Sequence, residues 1–268
     1  MTFSESLLAG FEGRLAAAYE LAQLAGDLTL DYFQTDRFSV ERKGDDSPVT
    51  IADRKAEELV RTRLEGLFPQ DGILGEEYGS QKGSSDFQWI VDPIDGTKSF
   101  ITGVPIYSTL IALVHNGEVL CGVIYIPALK EMILAVQGRG AWWSVANAAA
   151  ERARVSQRQL AQGVFLVSQV DTFGKRGAAA GFHAIEKAAY VTRTWGDGYG
   201  YLLVATGRAE VMVDPMANPW DLAAVQIVID EAGGRFTNWQ GIPSYSTGDG
   251  IGSNGLVHDQ VLAALATT

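Results

Sequence analysis

The run Trp89-Ile90-Val91-Asp92-Pro93-Ile94-Asp95-Gly96-Thr97-Lys98-Ser99-Phe100 constrains the fold of this chain more than any other segment. An apolar strand ends there in two aspartates, a proline-stiffened bend and a glycine–threonine pair, so the fold must carry a strand out of its core to a polar point. Asp92 and Asp95 bracket the bend, and both carboxylates can turn toward one volume. The carbonyl of Ile94 and the hydroxyl of Thr97 can point there too. That is an all-oxygen ligand set, which hard cations such as magnesium prefer over nitrogen or sulfur donors. Gly96 has no side chain to block close approach, so the amides of Gly96 and Thr97 can meet an anion where a helix begins. A metal bed beside a phosphate cradle is the equipment of phosphoryl transfer.

The rest of the composition narrows the setting. A formal net charge of −11 argues against a nucleic-acid or anionic-membrane surface, since both call for clustered basic residues. At 268 residues, 47% of them hydrophobic, the chain can bury a large core as one big domain or two intimately packed halves. The single cysteine, Cys121, sits in an apolar stretch and reads as a buried, inert thiol of a reducing cytoplasm. The first residues lack the basic start and apolar run of a secretory signal, and no segment approaches the ~18 apolar residues that span a bilayer.

Hydrophobic spacing predicts an amphipathic helix from about Ser4 to Phe33 and, after the polar loop Lys43–Pro48, a second helix starting near Thr50. Ile73–Glu77 reads as a short strand ending in two acids, followed by a Gly/Ser-rich loop. From Ser108 to Trp143 the pattern is antiparallel, with Asn116-Gly117 as a hairpin turn. Small residues at 146–150 mark a boundary between halves 1–148 and 149–268. The second half alternates strand and helix: strands at Val164–Ser168, Val211–Asp214 and Arg235–Asn238, and helices at Gly181–Ala189, Tyr199–Thr206, Pro219 to Gly233 and Val257–Ala266. The expected class is α/β with mixed sheets.

Asp92 and Asp95 alone leave a divalent ion short of ligands. Glu76 and Glu77 stand at a strand end between glycines, and Asn218-Pro219-Trp220-Asp221 puts an acid in the first turn of a helix. Taken by spacing, Glu76 and Glu77 are equally a solvated loop, and Asp221 equally a complement to the helix dipole. His115, His183 and His258 are scattered without metal-ligand spacing. Gly196-Asp197-Gly198-Tyr199-Gly200 lacks the preceding strand and acidic partner of a dinucleotide loop.

Three blocks in order, Gly75-Glu76-Glu77, Asp92-Pro93-Ile94-Asp95-Gly96-Thr97 and Trp220-Asp221-Leu222-Ala223-Ala224 before Glu231-Ala232-Gly233-Gly234, resemble the magnesium-dependent inositol monophosphatase-like phosphatases over nearly the whole chain. The resemblance implies that Glu76, Asp92, Asp95, Asp221 and the Ile94 carbonyl hold two or three Mg2+ ions. Clustered carboxylates cannot all stay ionised without cations, and with a phosphate dianion the site carries about six negative charges. The resemblance further implies that Asp53 and Thr97 orient the attacking water. Lys43, in the loop before Asp53, can reach that water or the phosphate, and with no residue resembling an activated serine or cysteine nucleophile the expected route is direct in-line attack by water. It also implies a five-layer αβαβα sandwich and a homodimer. The first half would carry the main metal-binding motifs, and the second half the last metal ligand and the substrate pocket.

Lys98-Ser99-Phe100 with the Gly103-Val104-Pro105 continuation looks like the histidinol-phosphate phosphatase branch of that family. A pocket for an ammonium and an imidazole should offer acids and an aromatic face. Asp197 and Asp214 can supply the acids, Trp195 or Tyr199 the ring, and Lys98 marks the branch. Packing roles for both rings and a cap role for Asp197 are the alternatives. The expected function is a phosphate-monoester hydrolase acting on histidinol phosphate, with inositol-1-monophosphatase or a broad sugar-phosphate phosphatase as the alternative. A regulatory binding module is the reading from a different class, and the intact ligand set argues against it.

Overall fold

The computed structural model describes residues 3–9, 11–36, 39–42, 48–146 and 148–266. The helices are α1 (Glu5–Leu8), α2 (Arg14–Thr29), α3 (Ile51–Leu67), α4 (Thr97–Ile101), α5 (Asp171–Lys175), α6 (Ala179–Ala188), α7 (Asp197–Ala205), α8 (Pro219–Glu231) and α9 (His258–Leu265). Strands β1 (Glu41–Arg42) and β2 (Pro48–Val49) form a small ladder. An eight-stranded sheet follows, from β3 (Gly72–Gly75), β4 (Gly79–Gln81), β5 (Phe87–Asp95), β6 (Ser108–His115), β7 (Glu118–Ile126), β8 (Glu131–Val136), β9 (Gly140–Val145) and β10 (Glu151–Arg152), in the order β10-β9-β8-β7-β6-β5-β3-β4. The second sheet has five strands, β11 (Val164–Val167), β12 (Val191–Arg193), β13 (Val211–Asp214), β14 (Arg235–Thr237) and β15 (Gly250–Ser253), in the order β12-β11-β13-β15-β14. Both sheets are mixed: β3 runs parallel to β5, β11 parallel to β12 and β13, and the other pairs are antiparallel.

The layers follow from alternation along the central strands. Trp89, Val91, Ile111 and Leu113 face α2 and α3, packing on Leu15, Leu21, Val60 and Leu64. Their neighbours Ile90, Leu110, Ala112 and Ile124 face the other way, onto Leu202 and Val204 of α7 and Leu222, Val225 and Val228 of α8. Strands buried on both faces read as continuous apolar runs, as β5 and β6 do. The five-stranded sheet covers the far side of α7 and α8 and carries α5, α6 and α9 outside it through Phe165, Val213, Phe173, Phe182 and Val261. The result is the five-layer αβαβα sandwich. Among the described residues, no helix is long and apolar enough to cross a membrane.

The hairpin at Asn116-Gly117 forms with both residues left-handed (φ 51° and 85°), as a two-residue type I′ turn requires. The helix expected over residues 4–33 is broken, because Phe11, Glu12 and Gly13 take left-handed backbone (φ 49°, 55° and 85°), which an α-helix cannot propagate through. The restart turns Arg14 inward. Its Nε and Nη2 fork onto Asp71 at 2.8 and 2.9 Å, and its guanidinium lies 4.6 and 4.2 Å from the ring centroids of Phe68 and Phe87. The Gly/Ser-rich stretch after Glu77 begins with β4, an edge strand, and β15 forms from a glycine-rich segment for which hydrophobic spacing predicts no element.

In β5, Asp92 pairs with Leu110 and Asp95 with Ser108, so three steps on one strand meet two on the other. Side chains alternate faces along a strand, and residues three apart would face opposite ways; the extra residue of this bulge turns both aspartates to the same side. Proline fits there because it has no N–H to give to the ladder.

The Arg14–Asp71 fork gives the first prediction. Its side chains are 8% and 1% exposed, and removing Asp71 leaves the buried guanidinium only the exposed Glu12 carboxylate as an ionic partner. Asp71→Asn should cost about 3–5 kcal/mol in urea unfolding of the metal-free protein. A loss under about 1 kcal/mol would mean that the fork is not a strut of the fold.

Candidate active site

Four chain segments converge at the carboxyl end of β5. Because β3 runs parallel beside β5, Glu76 leaves the sheet next to Asp92, and its N–H donates to the Val91 carbonyl at 3.3 Å. Asp92 is itself folded into the bend, its Oδ1 accepting from Ile94 N–H at 3.1 Å. Asp95 accepts from Ser108 Oγ at 2.7 Å and from the N–H of Gly198 at the start of α7. Asp221, in the first turn of α8, accepts from Asn218 N–H at 2.7 Å. Oxygens of Asp92, Asp95 and Asp221 lie within 4.8 Å of one another.

Asp53 occupies the same position in α3 that Asp221 does in α8, three residues past the N-cap. Its Oδ2 accepts from Thr50 N–H at 2.8 Å and Thr50 Oγ1 at 2.6 Å, completing a capping box. Its Oδ1 faces Thr97 Oγ1 at 3.5 Å, and the Thr97 hydroxyl also stands 3.2 Å from the Ile94 carbonyl. Gly96 is left-handed (φ 85°), and a side chain there would run into the Asp197 carboxylate. Thr97 begins α4 directly after it.

Burial is the main force on these acids. It raises Asp92 well above the usual carboxylate value, with the charges of Glu76, Asp95 and Asp221 adding to it. It does the same to Asp95, joined by Asp197 and Asp221 and opposed by the bonds from Ser108 and Gly198. Asp221 is pushed to about 7 and Asp53 to about 6, in both cases first by burial and against the caps they receive. Without a cation the cluster must hold protons. An all-oxygen, buried, mutually repelling donor set is what a hard divalent ion relieves, so these residues fit a metal.

The substrate-side residues scatter more. Asp197 opens α7 with φ 57°, and its N–H donates to Ser168 Oγ at 2.9 Å. Burial raises its carboxyl, against the Ser168 bond and the Lys98 charge. Asp214, pushed to about 7 mainly by burial, has both oxygens engaged, by Ser168 Oγ at 2.6 Å and Tyr201 Oη at 2.9 Å. Lys98 Nζ donates to Gln169 Oε1. Trp195 is half-exposed, with the Arg193 guanidinium 5.9 Å from its ring centre. Tyr199 packs instead on the central core, where Glu131 and Arg208 are the charges acting on it. Lys43 lies outside the described residues.

A cavity of about 160 Å³ is lined by Asp95, Asp197, Asp214 and Asp221 together with Ser168, Gln169 and Thr172. A neighbouring one of about 240 Å³ is lined by Glu76, Gly96, Thr97 and Lys98, and Asp197 borders both. Sequence reasoning passed over Ser168, Gln169 and Thr172. Their signal was position: they follow the carboxyl end of a parallel strand, where open α/β sheets bind ligands.

A model described as the inositol monophosphatase family matches residues 12–268. Histidinol-phosphatases of Chlorobaculum parvum and Mycobacterium tuberculosis are each 40% identical to this chain. The first aligns over 255 residues (94% of this chain and 96% of the relative) and the second over 252 residues (94% and 97%). Among solved structures, a Thermotoga maritima IMPase superposes with a TM-score of 0.83 at 36% identity, covering 95% of this chain and 97% of that one. With the match running through all three acidic blocks, the chain belongs to the inositol monophosphatase family.

Proposed function

We propose that this chain is a magnesium-dependent phosphate-monoester hydrolase that converts L-histidinol phosphate and water to L-histidinol and phosphate. The observation that carries the substrate is full-length similarity to histidinol-phosphatases at 40% identity, joined to the buried acidic cluster of Asp92, Asp95 and Asp221. In this reading Glu76, Asp92, Asp95, Asp221 and the Ile94 carbonyl hold two or three Mg2+ ions. Residues 1–148 form the half with most of these ligands, and 149–268 the half with Asp221 and the substrate pocket. The proposal includes a homodimer, as the family resemblance implies, in the cytoplasm, in keeping with a single buried cysteine.

When bound, the cations neutralise charge on the phosphoryl oxygens and acidify a nearby water. The chain's own groups do the rest. The amides of Gly96 and Thr97 receive a phosphate oxygen at the start of α4. Asp53, with its Oδ2 committed to the cap, keeps Oδ1 and the Thr97 hydroxyl to orient a water and accept its proton. That water attacks phosphorus in line, the phosphorus–alkoxide bond breaks, the alkoxide takes a proton from solvent water as histidinol leaves, and Asp53 returns its proton to solvent. Lys43 is assigned to the same water or phosphate. Asp197 pairs with the substrate ammonium, the exposed Trp195 ring offers a face to the imidazole, and Lys98 is held beside the phosphate by Gln169. Asp214 lines the same cavity and is assigned to the substrate with Asp197, which it also steadies through Ser168. Tyr199 contributes packing.

Phosphate release with Mg2+ should favour histidinol phosphate over inositol 1-phosphate by more than ~100-fold in kcat/KM, equal to about 2.7 kcal/mol. A ratio near one would make the enzyme a generalist. Asp197→Asn should depress the first substrate more than the second, and equal losses would remove Asp197 from recognition. Asp92→Asn should lower kcat/KM by more than about 100-fold, beyond what losing a ligand's supporting partner costs.

Stability of the metal-free protein gives a further check. Asp214 and Asp221 are raised to about 7, so the folded state holds protons that the unfolded chain, with carboxylates near ~3.9, has released. That stability is fully present below the unfolded value and is lost as pH rises through about 7. His258, buried between Thr237 and Ser253 and lowered to about 4, acts in the opposite sense, but only below its unfolded value of ~6.5. Between pH 6.5 and 8 the metal-free Tm should therefore fall by at least about 3 °C, Asp92 and Asp95 adding to the loss in the same sense. Added Mg2+ should raise Tm more at pH 8, because its ligands must be deprotonated. A larger Mg2+ effect at pH 6.5 would contradict the assignment.

A further inference from the structure

Glu57 is a carboxylate with no exposed surface, one turn beyond Asp53 on α3, and it takes no part in the acidic cluster. It faces the segment that carries Glu76. Its Oε2 accepts from Glu77 N–H at 2.7 Å and its Oε1 from Tyr78 N–H at 3.2 Å. Arg61, the next turn on, donates Nε to Glu57 at 2.8 Å and Nη2 to the Gly79 carbonyl at 2.5 Å. On the near side of Glu76, Gly75 lies so close that an added Cβ would stand 2.0 Å from Glu57 Oε1. Backbone just after Glu76 is thus held by an ion pair whose carboxylate is fully buried, and Gly75 just before it packs against the same carboxylate.

Burying a charged pair costs several kcal/mol in desolvation, and a tight turn between two short strands does not need one. What the pair adds is a rigid link. One helix face presents Asp53 at its first turn, Glu57 at its second and Arg61 at its third, so the turn bearing Glu76 is set relative to Asp53 by α3 itself. Charge-assisted bonds to backbone N–H groups are also the stronger and more directional kind.

We infer that Glu57, clamped by Arg61, is a positioning residue for Glu76, fixing its carboxylate in register with Asp53 and so setting the divalent-ion affinity of the site. This rests on the reading that Glu76 is a metal ligand. Partners that orient metal ligands typically contribute 10–100-fold in affinity.

The test is Mg2+ binding to the full-length, metal-free protein by titration calorimetry, beside Mg2+ activation of phosphate release. Glu57→Gln and Arg61→Met are each compared with the unmodified chain. Both variants should bind Mg2+ at least about tenfold more weakly and need correspondingly more for half-activation. At saturating Mg2+, kcat and substrate KM should stay within about threefold of the parent. The double variant should lose little beyond the worse single one, because both changes release the same clamp. If Glu57→Gln does not fold, Arg61→Met carries the comparison, its side chain sitting at the helix surface with 11% exposure. Unchanged Mg2+ affinity in a folded variant, with only a lower metal-free Tm, would reduce Glu57 to a structural role and overturn the inference. Failure of the parent chain to bind Mg2+ would instead overturn the metal reading itself.

Discussion

One extra residue in a strand underlies the site. β5 runs through the middle of the larger sheet with apolar packing on both faces, so a regular strand would send Asp92 and Asp95 to opposite layers. The bulge at Pro93 and Ile94 cancels that alternation and aims both acids out of the same edge. Thr109 Oγ1 steadies it with a 2.8 Å bond to the Pro93 carbonyl, and Asp92 folds back onto Ile94 N–H. The elements that converge on the site arrive at the point this bend defines.

The acids brought by helices are caps that still leave an oxygen facing the cluster. Asp53 and Asp221 each use an oxygen to accept the N-cap N–H of their own helix, which settles the side chain in one rotamer. The remaining oxygen is then presented at a fixed place, beside the positive end of a helix dipole that favours anions. Dipole complementation and ligand duty, which look like rival explanations of Asp221 when only spacing is considered, are compatible in three dimensions. The cost is several carboxylates held above their ordinary pKa by burial, a strain that a cation removes.

Much of this was legible beforehand, for identifiable reasons. The Asn-Gly hairpin, the capped start of α3 and the Pro219 start of α8 are local signals, and local chemistry decided them. The break before Arg14 had a local signal in Gly13, which takes the left-handed turn, but the apolar spacing ran through it; its partner Asp71 lies far along the chain. Strand β15 was missed because Gly250-Ile251-Gly252-Ser253 has little strand propensity. Its glycines instead leave room for the Tyr201 ring and Leu222, a tertiary demand. The three acidic blocks could be joined only through resemblance. On the substrate side, α7 is apolar nearly all round, so no stripe in its sequence told which way Tyr199 would face. Ser168 and Gln169 needed the sheet topology to become visible.

The two sheets make unequal contributions to the mouth of the cavity. Glu76, Asp92 and Asp95 issue from the eight-stranded sheet, while Ser168, Gln169 and Asp214 issue from the five-stranded one, with α7 and α8 wedged between. The strand ends of the second group can therefore vary while Asp92, Asp95 and the bulge that aims them stay anchored in a separate sheet. Such an arrangement is evolvable: one wall of the cavity can drift at a few strand ends while the carboxylate cluster of the other sheet keeps its place.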